Sequence, residues 1–394
     1  MKRGWVSARQ IAVAIGFAGS MSALLSCGGG GSVAGAGPSV TKAQLGRALF
    51  FDKTLSNPAG MSCATCHSPT KAFTDPRPGF PTSQGVIKGL FGFRKAPSIM
   101  YMAFSPEFAA GTGEGGLSAT GGQFWDGRAA DLPSQAKFPL VNPVEMNNPS
   151  LQAVVTTVMH GPEAVGLKQV YGAGIFNNPE NAINAIVDAL AAFEKTPEIS
   201  PFSSKYDAFL AGKAELTPAE LRGLSAFNGK GGCSGCHTDS PAADGTPALF
   251  TNFCYANLGL PKNPANPYYT LPAKFNPLGS SFIDIGLEVA TGKALDAGNF
   301  MTPPLRNVAL KAPYFHNGIF KTLAEVVNFY NTRDLGGFPA AEIPQTEDKT
   351  ELGNLQLTAQ EQADIVTFLG TLTDGYTATP SNVVPRFSAK GASP

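Results

Sequence analysis

Two five-residue sets in the chain share one pattern, Cys63-Ala64-Thr65-Cys66-His67 and Cys233-Ser234-Gly235-Cys236-His237. In C-x-x-C-H the two thiols can add to the vinyl groups of a haem, and the histidine that follows ligates its iron. Two other chemistries use such pairs, a thioredoxin-like redox couple and half of a zinc site. Both pairs here carry the adjacent His, and neither stands between a strand and a helix. The spacing therefore favours two covalently bound c-type haems, attached at Cys63, Cys66, Cys233 and Cys236, with His67 and His237 on the irons.

The chain holds four histidines. His160 precedes Gly161-Pro162 and reads as a surface or capping residue at a helix end. His316 lies in Pro313-Tyr314-Phe315-His316-Asn317-Gly318. Bis-histidine ligation of both haems would consume every His in the chain. At least one haem is thus expected to use another sixth ligand or to leave that position open, and an open position on haem iron means small-molecule chemistry. Cys254 stands outside both sets and reads as a buried small residue.

These sets must be held by helices, and the start signals for helices recur. Thr41-Lys42-Ala43-Gln44 has capping-box form and predicts a helix to about Phe50, ahead of the first set. Thr217-Pro218-Ala219-Glu220 repeats the arrangement, with Pro at the first helical position and a helix to about Phe227 ahead of the second. Ile183, Ile186, Val187, Leu190 and Phe193 recur at helical spacing after Asn178-Pro179, and Ile365, Phe368, Leu369 and Leu372 follow the box at Thr358-Glu361. A helix before each haem set and another closing each half predicts a mainly α fold of two cytochrome c-like haem domains with long irregular loops. The expected boundaries are 39–200 and 201–394, with residues 197–204 as linker.

Composition agrees with that class. The charged fraction is 15%, with 45 Gly and 32 Pro in 394 residues, as suits short helices joined by irregular segments. Net charge is zero, so nothing points to a nucleic acid partner. Lys2, Arg3 and Arg9 precede an apolar stretch over 11–25 that ends in Leu24-Leu25-Ser26-Cys27. This predicts a lipoprotein signal peptide over 1–26, lipid attachment at Cys27 and a Gly-rich tether over 27–38. An exported protein, held to a membrane by its lipid alone in the periplasm or at the cell surface, follows. Gly28 after the lipidated Cys favours the outer membrane.

From about Gln44 to Leu372 the chain resembles the dihaem cytochrome c peroxidase and MauG family. Besides the haem sets, the likeness rests on Phe124-Trp125-Asp126-Gly127-Arg128-Ala129, then Gln135, Pro139 and Asn142-Pro143-Val144-Glu145-Met146, and on Pro304-Leu305-Arg306-Asn307-Val308-Ala309 through His316-Asn317-Gly318. The resemblance implies that the His67 haem reacts with hydrogen peroxide, with Gln135 and Glu145 in its distal pocket. Chemistry supports the pair independently, because breaking a peroxide bond needs a group to shuttle a proton and a donor to hold the bound oxygen. The likeness also places Trp125 between the haems as an electron relay.

Two features set this chain apart within that family. Residues 68–97 contain no His, where typical peroxidases carry a distal one, so the first haem is expected to be open at rest. The usual Met ligand of the second haem stands fourteen residues after the His of the Tyr-Phe-His motif, and here that position is Tyr330. Thr322-Leu323-Ala324-Glu325 caps a helix on which Leu323, Val326, Val327 and Tyr330 share one face. A rival ligand is Met301, in Phe300-Met301-Thr302-Pro303-Pro304.

Other positions depart from the pattern. Gly231 occupies the place of a surface Trp thought to serve oxidation of a protein substrate. Lys95 stands where a calcium-ligating Asn is usual and Lys311 replaces a Thr, so calcium is left open. Three readings follow: a peroxidase fed by a small redox protein, a MauG-like oxidase of aromatic residues on a partner protein, and a plain electron-transfer lipoprotein.

Overall fold

Capping side chains decide where the helices begin. The computed structural model describes residues 40–77, 79–111 and 119–377; the expected signal peptide, Cys27 and tether lie outside them. In chain order the first helices are α1 (Lys42–Phe51), α2 (Cys63–Cys66), α3 (Leu132–Val141), α4 (Leu151–His160), α5 (Ala164–Tyr171) and α6 (Pro179–Glu194). There follow α7 (Lys205–Leu210), α8 (Pro218–Asn228), α9 (Glu288–Thr291), α10 (Leu323–Thr332) and α11 (Ala359–Gly370). The Thr41, Thr217, Thr322 and Thr358 boxes all form as read from sequence, and Asn178 caps α6. The fold is mainly helical. Among the described residues the strands are short: β1 (Ala109–Ala110) pairs with β2 (Ala119–Thr120), and β3 (Tyr255–Ala256) with β4 (Phe300–Met301), each antiparallel.

Among the described residues, the two largest apolar cores resemble each other. The first gathers Leu49 and Phe50 of α1, Leu140 of α3, Val154 and Val158 of α4, and Ile186, Leu190 and Phe193 of α6. The second gathers Phe227 of α8, Phe250, Val327 of α10, and Ile365, Phe368 and Leu369 of α11. In each, the helix ahead of a haem set crosses the closing helix at a glycine. A Cβ on Gly46 would overlap the Ala189 carbonyl, and one on Gly223 the Asp364 carbonyl. The duplication seen in sequence is thus repeated in how the helices cross.

The described residues belong to one compact unit, Val40–Pro394. Residues 195–204, between α6 and α7, are anchored at Ile199 and Ser204, which are buried. Ile199 is fully buried in the first core, and the Phe202 ring lies 4.9 Å from Tyr101 and 4.6 Å from the Arg306 guanidinium. No helix among the described residues is long and apolar enough to cross a membrane.

Candidate haem sites

Each C-x-x-C-H set occupies one turn. Cys63–Cys66 form α2, and the His67 N–H donates to the Cys63 carbonyl at 2.9 Å. Cys233–Gly235 form a 3-10 turn with the same closure, His237 N–H to Cys233 carbonyl at 2.9 Å. Cys63, Cys66 and His67 line one cavity, and Cys233, Cys236 and His237 line a second.

Both imidazoles are oriented from behind by a phenylalanine carbonyl. His67 Nδ1 lies 3.2 Å from the Phe73 oxygen, and His237 Nδ1 2.8 Å from that of Phe250. A carbonyl only accepts, so each Nδ1 carries the proton and each Nε2 keeps its lone pair, the tautomer of a metal-ligating His. Phe73 and Phe250 both adopt left-handed backbone, φ 52° and 58°, which is uncommon for a bulky residue. Burial pushes His67 below its ordinary value and His237 down to about 4. Neutral imidazoles result, able to ligate.

The competing chemistries lose ground here. Burial pushes the thiols of Cys63, Cys66 and Cys233 up to about 12 and that of Cys236 to about 11. A redox dithiol needs the opposite shift. Among the described residues, no group of three or more His, Cys, Asp or Glu side chains is placed to hold a metal ion. Paired thiols, an oriented His and an apolar cavity fit a c-type haem.

The first cavity also takes in Trp125, Arg128, Gln135, Pro139 and Glu145. Gln135 lies on α3, where Pro139 sits inside the helix and, lacking an N–H, leaves the Gln135 carbonyl without its helical partner. The Gln135 amide has no hydrogen-bond partner among the described residues. Burial raises the Glu145 carboxyl above its ordinary value, against the opposing effects of the Arg128 charge and the Asn142 side chain. Arg128 is held by Asp126 at 2.8 Å and lies 3.7 Å over the Phe124 ring. His67 is the one histidine of this cavity among the described residues.

Trp125 and Met301 line both cavities. The Trp125 indole N–H donates to the Lys95 carbonyl at 2.9 Å, and the Met301 N–H donates to the Trp125 carbonyl at 2.8 Å.

The second cavity receives the predicted face of α10, since Leu323, Val326, Val327 and Tyr330 all line it. Burial raises the Tyr330 phenol, and its hydroxyl has no hydrogen-bond partner among the described residues. His316 lines the same cavity at 3% exposure, and neither ring nitrogen has a partner among the described residues. Its ring stacks on Phe300 with centroids 3.6 Å apart. Gly231 lines this cavity too, where a Cβ would sit 2.8 Å from the Ala226 carbonyl, so a large side chain is refused. His160 ends α4 with Nδ1 2.9 Å from the Thr156 carbonyl, the capping role expected of it. Cys254 is buried.

Sequence reasoning did not find Phe73 and Phe250. They follow their histidines by six and thirteen residues, and no common spacing marks them.

Comparison with known proteins points to the same class of cofactor. Residues 40–215 match the family profile described as di-haem cytochrome c peroxidase. The chain is 38% identical to the methylamine utilization protein MauG of Paracoccus denitrificans, over 84% of this chain and 88% of that one. It is 33% identical to the cytochrome c551 peroxidase of Nitrosomonas europaea, over 84% and 79%. The crystal structure of the diheme peroxidase BthA from Burkholderia thailandensis superposes with a TM-score of 0.74 at 34% identity, covering 85% of this chain and 86% of that one. Fold and site thus define a haem-dependent oxidoreductase of the di-haem class. The chain belongs to the dihaem cytochrome c peroxidase and MauG family.

Proposed function

We propose that this chain is an exported dihaem c-type cytochrome that reacts with hydrogen peroxide at a haem held by Cys63, Cys66 and His67. A second haem, held by Cys233, Cys236 and His237, passes electrons, and Trp125 couples the two. The observation that carries the reading is the first cavity, which Gln135 and Glu145 line together with His67, the one histidine there among the described residues. A haem held there would supply the binding site and the electrons for cleaving the peroxide bond.

The chain's own residues do the rest. Cleavage takes up two electrons and two protons and yields two waters. The Glu145 carboxylate accepts the proton of the inner oxygen and returns it to the departing outer one. Its burial matters, because a raised pKa brings a carboxyl closer to the working pH. The Gln135 amide, without a partner among the described residues, would hydrogen-bond the peroxide. Arg128, held by Asp126, lends positive charge to the same wall.

In this reading Tyr330 would hold the iron of the second haem, and Met301 belongs to the partition beside Trp125. Phenolate ligation lowers the haem potential and favours withdrawal of electrons from a partner protein's aromatic side chain over supply by a small redox protein. One equivalent of peroxide added to the diferric protein tests this. A persistent spectral change shared by both haems supports the oxidase reading, whereas reaction only after a donor is supplied makes the chain a peroxidase. No change at all would leave an electron-transfer protein. A Tyr330→Met variant whose second-haem spectrum is unaltered would sink the ligand assignment. Export and lipid attachment at Cys27 belong to the same reading. A Cys27→Ala chain should leave the membrane pellet, and its retention there would refute the anchor.

A further inference from the structure

Two lysines have no evident work in that scheme. Lys95 and Lys311 are each only 8% exposed, and both line the first cavity. Their backbones are fixed. The Lys95 N–H donates to the His316 carbonyl at 2.7 Å while its carbonyl accepts the Trp125 indole, and the Lys311 N–H donates to Val308 at 3.1 Å. Lys311 Nζ reaches the Pro304 carbonyl at 3.3 Å. Among the described residues, neither ammonium has a carboxylate partner.

The acids that act on them are already engaged. Asp75 acts on Lys95 but is gripped by Arg77, and Asp374 acts on Lys311 but accepts from Tyr101 and Asn307. Burial pushes both lysines down to about 7, and Lys311 depresses Lys95 further. A buried ammonium is costly unless an anion meets it. The group that this cavity fits brings two carboxylates, the haem propionates.

A calcium ion between the halves, which the family resemblance implies, does not fit this place. Calcium takes six to eight oxygen ligands, and an ammonium has no lone pair to give. Two ammoniums would also repel the ion.

We infer that Lys95 and Lys311 form a built-in cationic subsite for the carboxylates of the haem at His67, and that they replace the inter-half calcium. This rests on the proposed haem in the first cavity. The lysines thereby tie that haem's edge to the Trp125 partition through Lys95, whose carbonyl holds the indole. Positive charge beside the carboxylates favours the reduced haem, so removing it lowers the potential.

Holoprotein with two haems per chain by pyridine haemochrome assay is the material for the test. The purified wild-type should carry no calcium by elemental analysis, and EGTA or added calcium should leave both haem spectra unchanged. Lys95→Met should lower the midpoint potential of the His67 haem and spare the His237 haem, which serves as internal control, while Lys95→Arg should restore it. A Lys95→Asn, Lys311→Thr double variant should acquire calcium and a calcium-dependent spectrum. Stoichiometric calcium in the wild-type, removed by EGTA with a spectral change, would overturn the inference. So would an unshifted potential in Lys95→Met, or a low-spin first haem in the wild-type that turns high-spin in that variant, which would make Lys95 an iron ligand. A chain that loads haem only at His237 overturns the haem assignment itself and is recognised by its haem count.

Discussion

At the scale of single residues, the proposed proton transfer in the first cavity rests on where Glu145 sits. Burial disfavours its ionised form and raises its pKa. A carboxylate that must accept a proton works only when ionised, so kcat/KM for peroxide should fall as pH drops through a value above the ordinary carboxylate range. Glu145→Gln should lower the rate by on the order of 10²–10⁴-fold and abolish that acidic limb. Stopped-flow rates across pH decide it, and a limb that persists in the variant would assign the titration to another group. Glu145 and Gln135 could be picked out in sequence only through a family pattern, since a carboxylate in a Pro/Asn loop looks like any surface acid. Lys95 and Lys311 are harder still, because nothing in the chain order says that both are buried in one cavity.

Helices carry the next level of information. The capping boxes at Thr41, Thr217, Thr322 and Thr358 were legible because a cap is made within four consecutive residues. The apolar face of α10 was legible for the same reason, being set by helical periodicity. What these patterns could not show is where two helices cross. Gly46 meets the Ala189 carbonyl of α6, and Gly223 meets the Asp364 carbonyl of α11, contacts made across long stretches of sequence. Gly46→Ala and Gly223→Ala should each destabilise the holoprotein by about 1–3 kcal/mol, as overpacking does, despite alanine's better helix propensity. Chemical denaturation measures it, and a neutral or stabilising result would show that the crossings are loose.

Across the whole molecule, a buried ion cluster ties the two halves together. Arg94 Nη1 lies 2.6 Å from Asp126, and Nη2 lies 2.6 Å from Asp284, with all three side chains nearly inaccessible. Burial would raise the Asp284 carboxyl, but the Arg94 charge and hydrogen bonds outweigh it and hold the pKa below the ordinary value. Its contribution to stability is therefore complete above the unfolded pKa and is lost as pH falls through the folded one. Asp284→Asn leaves Arg94 under-compensated and should cost about 3–5 kcal/mol near neutral pH. The difference from wild-type should shrink on acidification. A pH-independent difference in Tm would refute the electrostatic account.

The sequence by itself determined the two C-x-x-C-H sets, the scarcity of histidine, the helix starts and the face on which Tyr330 sits. Each depends on residue identity or on spacing within a few residues, and so survives without knowledge of the fold. Tertiary structure decided what the cavities contain. It brought the Phe73 and Phe250 carbonyls behind the two histidines, put Trp125 and Met301 in the wall between the cavities, and closed Gly231 to a side chain. It also buried two lysines whose nearby acids, Asp75 and Asp374, are held by other partners. These facts turn on distance and solvent exclusion between segments far apart in the chain, and only packing sets those.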